Sequence, residues 1–122
     1  MLKNVEINQH LTYRFEDTDG ISMVPLLKGE EKLEREAIYW HFPHYSNHGM
    51  QSPGGAVRSG DYKLLEYYED GRVQLFNLKE DIGEQNDLSD REPGKAAELT
   101  EMLHQWREST GARMMELNPD YQ

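Results

Sequence analysis

Cysteine is absent from this chain of 122 residues, and that one absence removes disulfides, thiolate metal ligands and cysteine nucleophiles together. It leaves the redox compartment open, since a cysteine-free chain suits periplasm and cytosol alike. Apolar residues are scarce as well, 36% against 30% charged, so the chain can build one modest, thin core. Positive charge is in short supply: 13 Lys and Arg face 23 Asp and Glu, and the net charge of −10 argues against nucleic acid and anionic membrane surfaces as partners. A basic or neutral ligand is easier to accommodate. Long apolar runs are missing, since no window approaches the roughly 18 residues of a membrane span, and the start lacks the basic-then-apolar plan of a signal peptide. There is no Gly-rich phosphate loop, no basic patch, no internal repeat and no low-complexity tract.

What is present is concentrated between Gly55 and Leu88. Three short runs rich in leucine, β-branched and aromatic residues are separated by Ser59-Gly60-Asp61 and Glu69-Asp70-Gly71, separators of the kind that hairpin turns require. In the middle run Tyr62, Leu64 and Glu66 share one face of a strand, while Lys63, Leu65 and Tyr67 share the other. In the last run Val73 and Leu75 alternate with Gln74 and Phe76. Upstream, Ala37-Ile-Tyr-Trp-His-Phe42 reads as a fourth strand. Downstream, Ala96, Leu99, Met102, Leu103 and Trp106 fall on one stripe at helical spacing, with Pro93 suited to the first turn and Gly111 to the stop. The expected fold is α+β: a four-stranded antiparallel meander packed against one long C-terminal helix. Both sheet faces carry apolar residues and the helix covers one, so the other calls for a partner outside the chain or for self-association. Residues 1–36 read as a boundary segment and residues 37–122 as the subdomain. The first ~18 residues, weakly periodic, are expected to be mobile or held by a neighbouring chain.

Residues able to carry chemistry are few. His41, His44 and His48 lie close together in His-Phe-Pro-His-Tyr-Ser-Asn-His. They admit three readings: a metal site, a ligand-contacting loop, or structural and solvent-exposed histidines. Their spacing matches no defined zinc signature. His10 and His104 are blander still. Asp81, Glu84 and Asp87 suggest calcium, but they lack the alternating ligand plan of an EF-hand, and turn and cap chemistry explains them more simply. Tyr39, Trp40, Tyr67 and Tyr68 read as core or interface aromatics before carbohydrate platforms.

Five pieces in order carry a resemblance: Asp19-Gly-Ile-Ser-Met-Val-Pro-Leu-Leu-Lys-Gly29; Ile38-Tyr-Trp-His-Phe-Pro-His-Tyr45; Ala56-Val-Arg58 with Gly60-Asp-Tyr-Lys-Leu64; Leu75-Phe-Asn-Leu78; and Asp81-Ile-Gly-Glu84 with Asn86-Asp-Leu88. Together they resemble the C-terminal end of an arylsulfatase-type sulfatase, over nearly the whole chain after Asp19. The resemblance implies the same sheet-and-helix subdomain, appended to a large α/β catalytic domain as its partner, and a chain that is a fragment or a truncated product of a longer enzyme. It implies no cofactor in this chain. The formylglycine nucleophile, made from a Cys or Ser in a Cys/Ser-x-Pro/Ala-x-Arg motif, and the calcium ligands would belong to the catalytic domain. No such motif stands here. By the same resemblance His41, His44 and Tyr45 are candidates for contacting the leaving-group side of a sulfate ester, no residue is catalytic, and Arg58 and Lys63 look like the family's strand-pair cations. A typical bacterial relative would be periplasmic or secreted. The other reading is an independent binding or oligomerisation module that keeps the fold without the enzyme.

Overall fold

The computed structural model describes residues 20–47, 49, 51–116 and 118–120. The expectation for the first ~18 residues, and the placements of His10 and His48, lie outside these described residues. The chain divides into two units, Met1–Arg35 and Glu36–Gln122. In the first, Val24–Leu27 forms a one-turn helix, α1, with Pro25 in its opening turn, where the missing N–H costs nothing.

The second unit holds β1 (Ala37–Phe42), β2 (Gly54–Ser59), β3 (Tyr62–Tyr67), β4 (Val73–Asn77) and α2 (Pro93–Thr110). The four strands form an antiparallel sheet in sequence order, the expected meander. Local chemistry fixes each turn. Ser59 pairs with Tyr62 across a two-residue turn in which Gly60 takes φ 57°, a value that glycine adopts without a Cβ clash. Between β3 and β4, Tyr67 N–H donates to Arg72 O at 2.8 Å and Arg72 N–H donates to Asp70 Oδ1 at 3.0 Å, so Asp70 caps the loop that Gly71 turns.

Register sorts the side chains as alternation requires. Tyr39, Val57, Leu64 and Leu75 lie abreast on one face, and on the other Trp40, Ala56, Leu65 and Gln74 lie abreast. Helix α2 lies along the first face. Val57, Leu64, Leu75, Ala96, Leu99 and Leu103 form the buried core, with Tyr39, Met102 and Trp106 packed against it, so the helical stripe read from the sequence is the core stripe. Full burial of each leucine is worth roughly 2 kcal/mol. The Tyr39 ring stacks on Trp106 with centroids 5.0 Å apart, which joins the edge strand to the helix. At its end α2 stops on Gly111, φ 62°, while Ala112 N–H donates to Arg107 O at 3.0 Å, a Schellman-type closure.

The opposite face is bare along β1. Ile38, Trp40 and Phe42 are 42%, 49% and 39% exposed. Beside them a cavity of about 270 Å³ is lined by Trp40, Phe42, Gln51, Ser52, Leu65 and Tyr67 among others.

Candidate functional site

The strand-to-loop transition after β1 carries all three residues singled out for ligand contact, and the structure separates them. His41 sits at a helix-face position of β1, abreast of Gly55 and Glu66. Its Nε2 donates to the Arg113 carbonyl at 2.7 Å, so in the neutral ring Nδ1 accepts from the Tyr68 hydroxyl, also at 2.7 Å. Both ring nitrogens are therefore committed inside the fold, one of them tying the segment after α2 back to the edge strand. Phe42 points the other way, and the His44 ring meets it edge-on at 5.6 Å with a large interplanar angle. His44 is exposed and makes no hydrogen bond among the described residues. Tyr45, 63% exposed, donates from its hydroxyl to Glu69 Oε1 at 2.6 Å, a bond that raises its pKa above the ordinary phenol value. This bond links the β1–β2 loop to the β3–β4 turn.

Behind His41 lies a polar network that the sequence reading passed over. Glu66 occupies a core position of β3 and is buried. Its carboxylate accepts from Arg107 Nη1 at 2.5 Å and from His104 Nε2 at 2.7 Å, two helix residues one turn apart. The Arg107 guanidinium also lies over the Tyr68 ring at 5.1 Å. Burial raises the Tyr68 pKa, against the opposing pull of its hydrogen bond from Arg107. One chain of contacts thus runs from Glu66 through Arg107 and Tyr68 to His41 and the Arg113 carbonyl. A signal for it existed: Glu66 shares strand parity with Tyr62 and Leu64, and His104 and Arg107 flank the buried stripe of α2. The reading of His104 as bland overlooked that it is Glu66's partner, 38 residues away.

The acidic loop is turn chemistry in geometry as well. Asp81 accepts from the backbone N–H groups of Gln85 and Asn86, both at 2.8 Å, which lowers its pKa. Asp87 accepts from Leu75 N–H at 3.0 Å and from Ser89 N–H at 2.9 Å. Burial pushes its carboxyl up, but these bonds outweigh it and the net shift is downward. Glu84 pairs with Lys63 at 2.6 Å on the sheet face opposite α2, whereas Arg58, abreast of Lys63, is exposed and makes no ion pair among the described residues. Among the described residues no three His, Asp or Glu side chains converge to hold a metal ion, so the donor set that calcium needs is not furnished by them. What this end of the sheet does offer is an imidazole and a phenol at the surface, His44 and Tyr45, braced from behind by the buried Glu66–Arg107 pair.

Fold and site define a small α+β module with one sheet face covered by its own helix and the other left open along β1 beside a polar loop. The chain belongs to the family described as N-sulphoglucosamine sulphohydrolase, C-terminal, whose profile matches residues 8–111. It is therefore a C-terminal domain of the sulfatase kind. A sulfatase of Formosa agariphila is 29% identical over 104 residues, covering 76% of this chain and 19% of that protein. A Delta 4,5-hexuronate-2-O-sulfatase of Bacteroides thetaiotaomicron is 31% identical over 70 residues, 57% of this chain and 15% of that one. The chain thus spans about a fifth or less of these relatives. Among solved structures, a protein in complex with its substrate D-glucosamine-2-N,6-O-disulfate is 26% identical with a TM-score of 0.62, covering 75% of this chain and 20% of that one. A 2-O GAG sulfatase shares the fold at a TM-score of 0.67 and 24% identity, over 84% of this chain and 24% of its own.

Proposed function

We propose that this chain serves a sulfuric ester hydrolase as its non-catalytic C-terminal part, giving structural support to a catalytic domain and one wall of the substrate pocket. The observation that carries this reading is the apolar stripe Ile38, Trp40 and Phe42, left open on the face opposite α2 and running directly into the loop of His44 and Tyr45. An exposed stripe of this kind marks a docking surface, and the loop at its end would then stand at the domain junction, where ligand sites concentrate. In this arrangement His44 and Tyr45 contact the leaving-group side of the sulfate ester as hydrogen-bonding groups, and His41 contributes by holding the loop from behind. With a net charge of −10, the chain is poorly suited to bind the sulfate itself. Formylglycine and calcium are assigned to the catalytic domain. The hexuronate-2-O-sulfatase and the protein bound to D-glucosamine-2-N,6-O-disulfate among the relatives favour a sulfated saccharide.

The second reading, an independent binding or oligomerisation module, draws support from the closed core under α2, which needs no other domain to form. Reading the coding sequence upstream of Met1 separates the two. An in-frame catalytic domain with a Cys-x-Pro-x-Arg segment supports the first, and a start at Met1 with nothing upstream supports the second. In the assembled enzyme His44→Ala is expected to raise KM several-fold with kcat little changed, whereas an unaltered KM removes His44 from the pocket.

A further inference from the structure

The two edges of the sheet are treated differently. On β4 the middle of the edge is closed: Leu75 N–H donates to Asp87 Oδ1 at 3.0 Å, and Leu75 O accepts from Leu88 N–H at 2.7 Å. On β1 no backbone group bonds outward among the described residues, and its neighbour in the sheet is β2 alone. The strand Ala37–Phe42 also carries none of the devices that keep an edge unpaired, having no charged residue, no proline and an unbroken six-pair register with β2. Such an edge accepts an extended strand through its backbone groups.

We infer that the β1 edge pairs with the β1 edge of a second copy, antiparallel about a two-fold axis at Trp40, to make a continuous eight-stranded sheet. The sequence of the strand selects this occupant and this register. Directly opposed residues of antiparallel strands share a face, so copies that keep their helices on the same side must bring outward-facing residues together. With Trp40 opposite its own copy, Ile38 falls opposite Phe42 at both ends, and all three exposed apolar residues find apolar partners. Tyr39 falls opposite His41 on the helix side. Continued just past the strand, the same register sets Glu36 opposite the second copy's His44, an acid against a base, twice by symmetry. Sliding the copy by one step in either direction breaks this pattern: centring on Tyr39 sets Glu36 against Phe42, and centring on His41 sets Ile38 against His44. Because β1 itself is uncharged, the chain's net charge of −10 is kept away from the contact.

This edge contact shares Ile38, Trp40, Phe42 and His44 with the function proposed above, which uses the open face of the same strand. Its tests read association and linking of the chain alone, so either proposal can fail without the other. Sedimentation equilibrium of the full chain at tens of micromolar and moderate salt is expected to give twice the 14.3 kDa chain mass. A 14.3 kDa monomer throughout that range overturns the inference. The register has its own test, made clean by a chain without cysteine. Glu36→Cys and His44→Cys, each exposed and on the order of 20–25 Å from the other within one chain, are expected to form a disulfide-linked heterodimer when mixed and mildly oxidised, with neither variant linking to itself. Equal linking of either variant with itself refutes the Trp40-centred register. Trp40→Lys, which sets like charges directly opposite at a half-exposed position, is expected to weaken the dimer about tenfold or more while the circular dichroism of the monomer stays unchanged. A dimer unaffected by Trp40→Lys places the contact elsewhere on the molecule.

Discussion

Glu66 is the residue on which the interior depends most. A carboxylate in that position is tolerated because Arg107 and His104 both donate to it, and the Arg107 side chain is itself only 14% exposed. Removing one partner of a buried pair leaves the other charged and poorly solvated. Arg107→Met is therefore expected to destabilise the fold by about 3 kcal/mol in urea titrations, and Glu66→Gln combined with Arg107→Met by clearly less. If the two costs simply add, the pair is not coupled. A second residue-level expectation concerns acid. Asp81 and Asp87 both have folded pKa values below the ordinary 3.8, so the unfolded chain takes up their protons first. Their contribution to stability is fully present above that value and is lost as pH falls through the lower folded values. Stability followed between about pH 5 and 2 is expected to fall less steeply in Asp87→Ala than in the unaltered chain; an equal slope means that Leu75 and Ser89 do not stabilise the charged carboxylate.

At the scale of elements, the strands, turns and long helix were legible because each has a strong local cause. Period-two alternation separated Leu64 from Leu65 and Leu75 from Phe76 within their strands, Gly60 and Gly71 marked the turns, and Pro93 and Gly111 bounded a stripe of period 3.6. The single turn at Val24–Leu27 was not legible, since four residues are too few to show a period. Nor was the separation of the candidate site residues. Parity alone sends His41 and Phe42 to opposite faces, but the Arg113 carbonyl and Tyr68 hydroxyl that occupy His41 come from distant parts of the sequence. The same contact explains the glycine at 55 in β2, while a Cβ on Gly54 would stand 2.7 Å from the Glu66 carbonyl oxygen instead. A Cβ on Gly55 would stand 2.4 Å from the Tyr68 hydroxyl and 3.3 Å from Leu103 Cδ2. Gly55→Ala is expected to cost about 1–3 kcal/mol and to release the Tyr68–His41 bond, visible as a shift in the His41 ring signals by NMR. Unchanged signals indicate that the helix gives way instead. Leu103→Ala, at a fully buried position of α2, is expected to cost about 3 kcal/mol by leaving a cavity between helix and sheet. A loss below about 1 kcal/mol in urea titration would show that the helix collapses onto the gap.

At the scale of the whole molecule, the fold sets its long helix α2 on one sheet face and, among the described residues, leaves β1 with an open face and an open edge. That imbalance fits a domain whose architecture was shaped beside a larger one, and it bears on activity. Sulfate ester hydrolysis of the kind that the resemblance implies needs an activated nucleophile and a cation to neutralise the departing oxyanion. The chain has no cysteine from which formylglycine could be made, and its serines stand outside the motif that is converted. Its best-placed acid–base group, His41, has both nitrogens engaged, and among the described residues no three His, Asp or Glu side chains converge on a metal. The purified chain is therefore expected to release no 4-nitrophenol from 4-nitrophenyl sulfate above the uncatalysed rate, with calcium or with chelator. Turnover that co-purifies with the chain and disappears in His44→Ala would place a catalytic group in the loop after β1 and overturn the assignment of the chemistry to another domain.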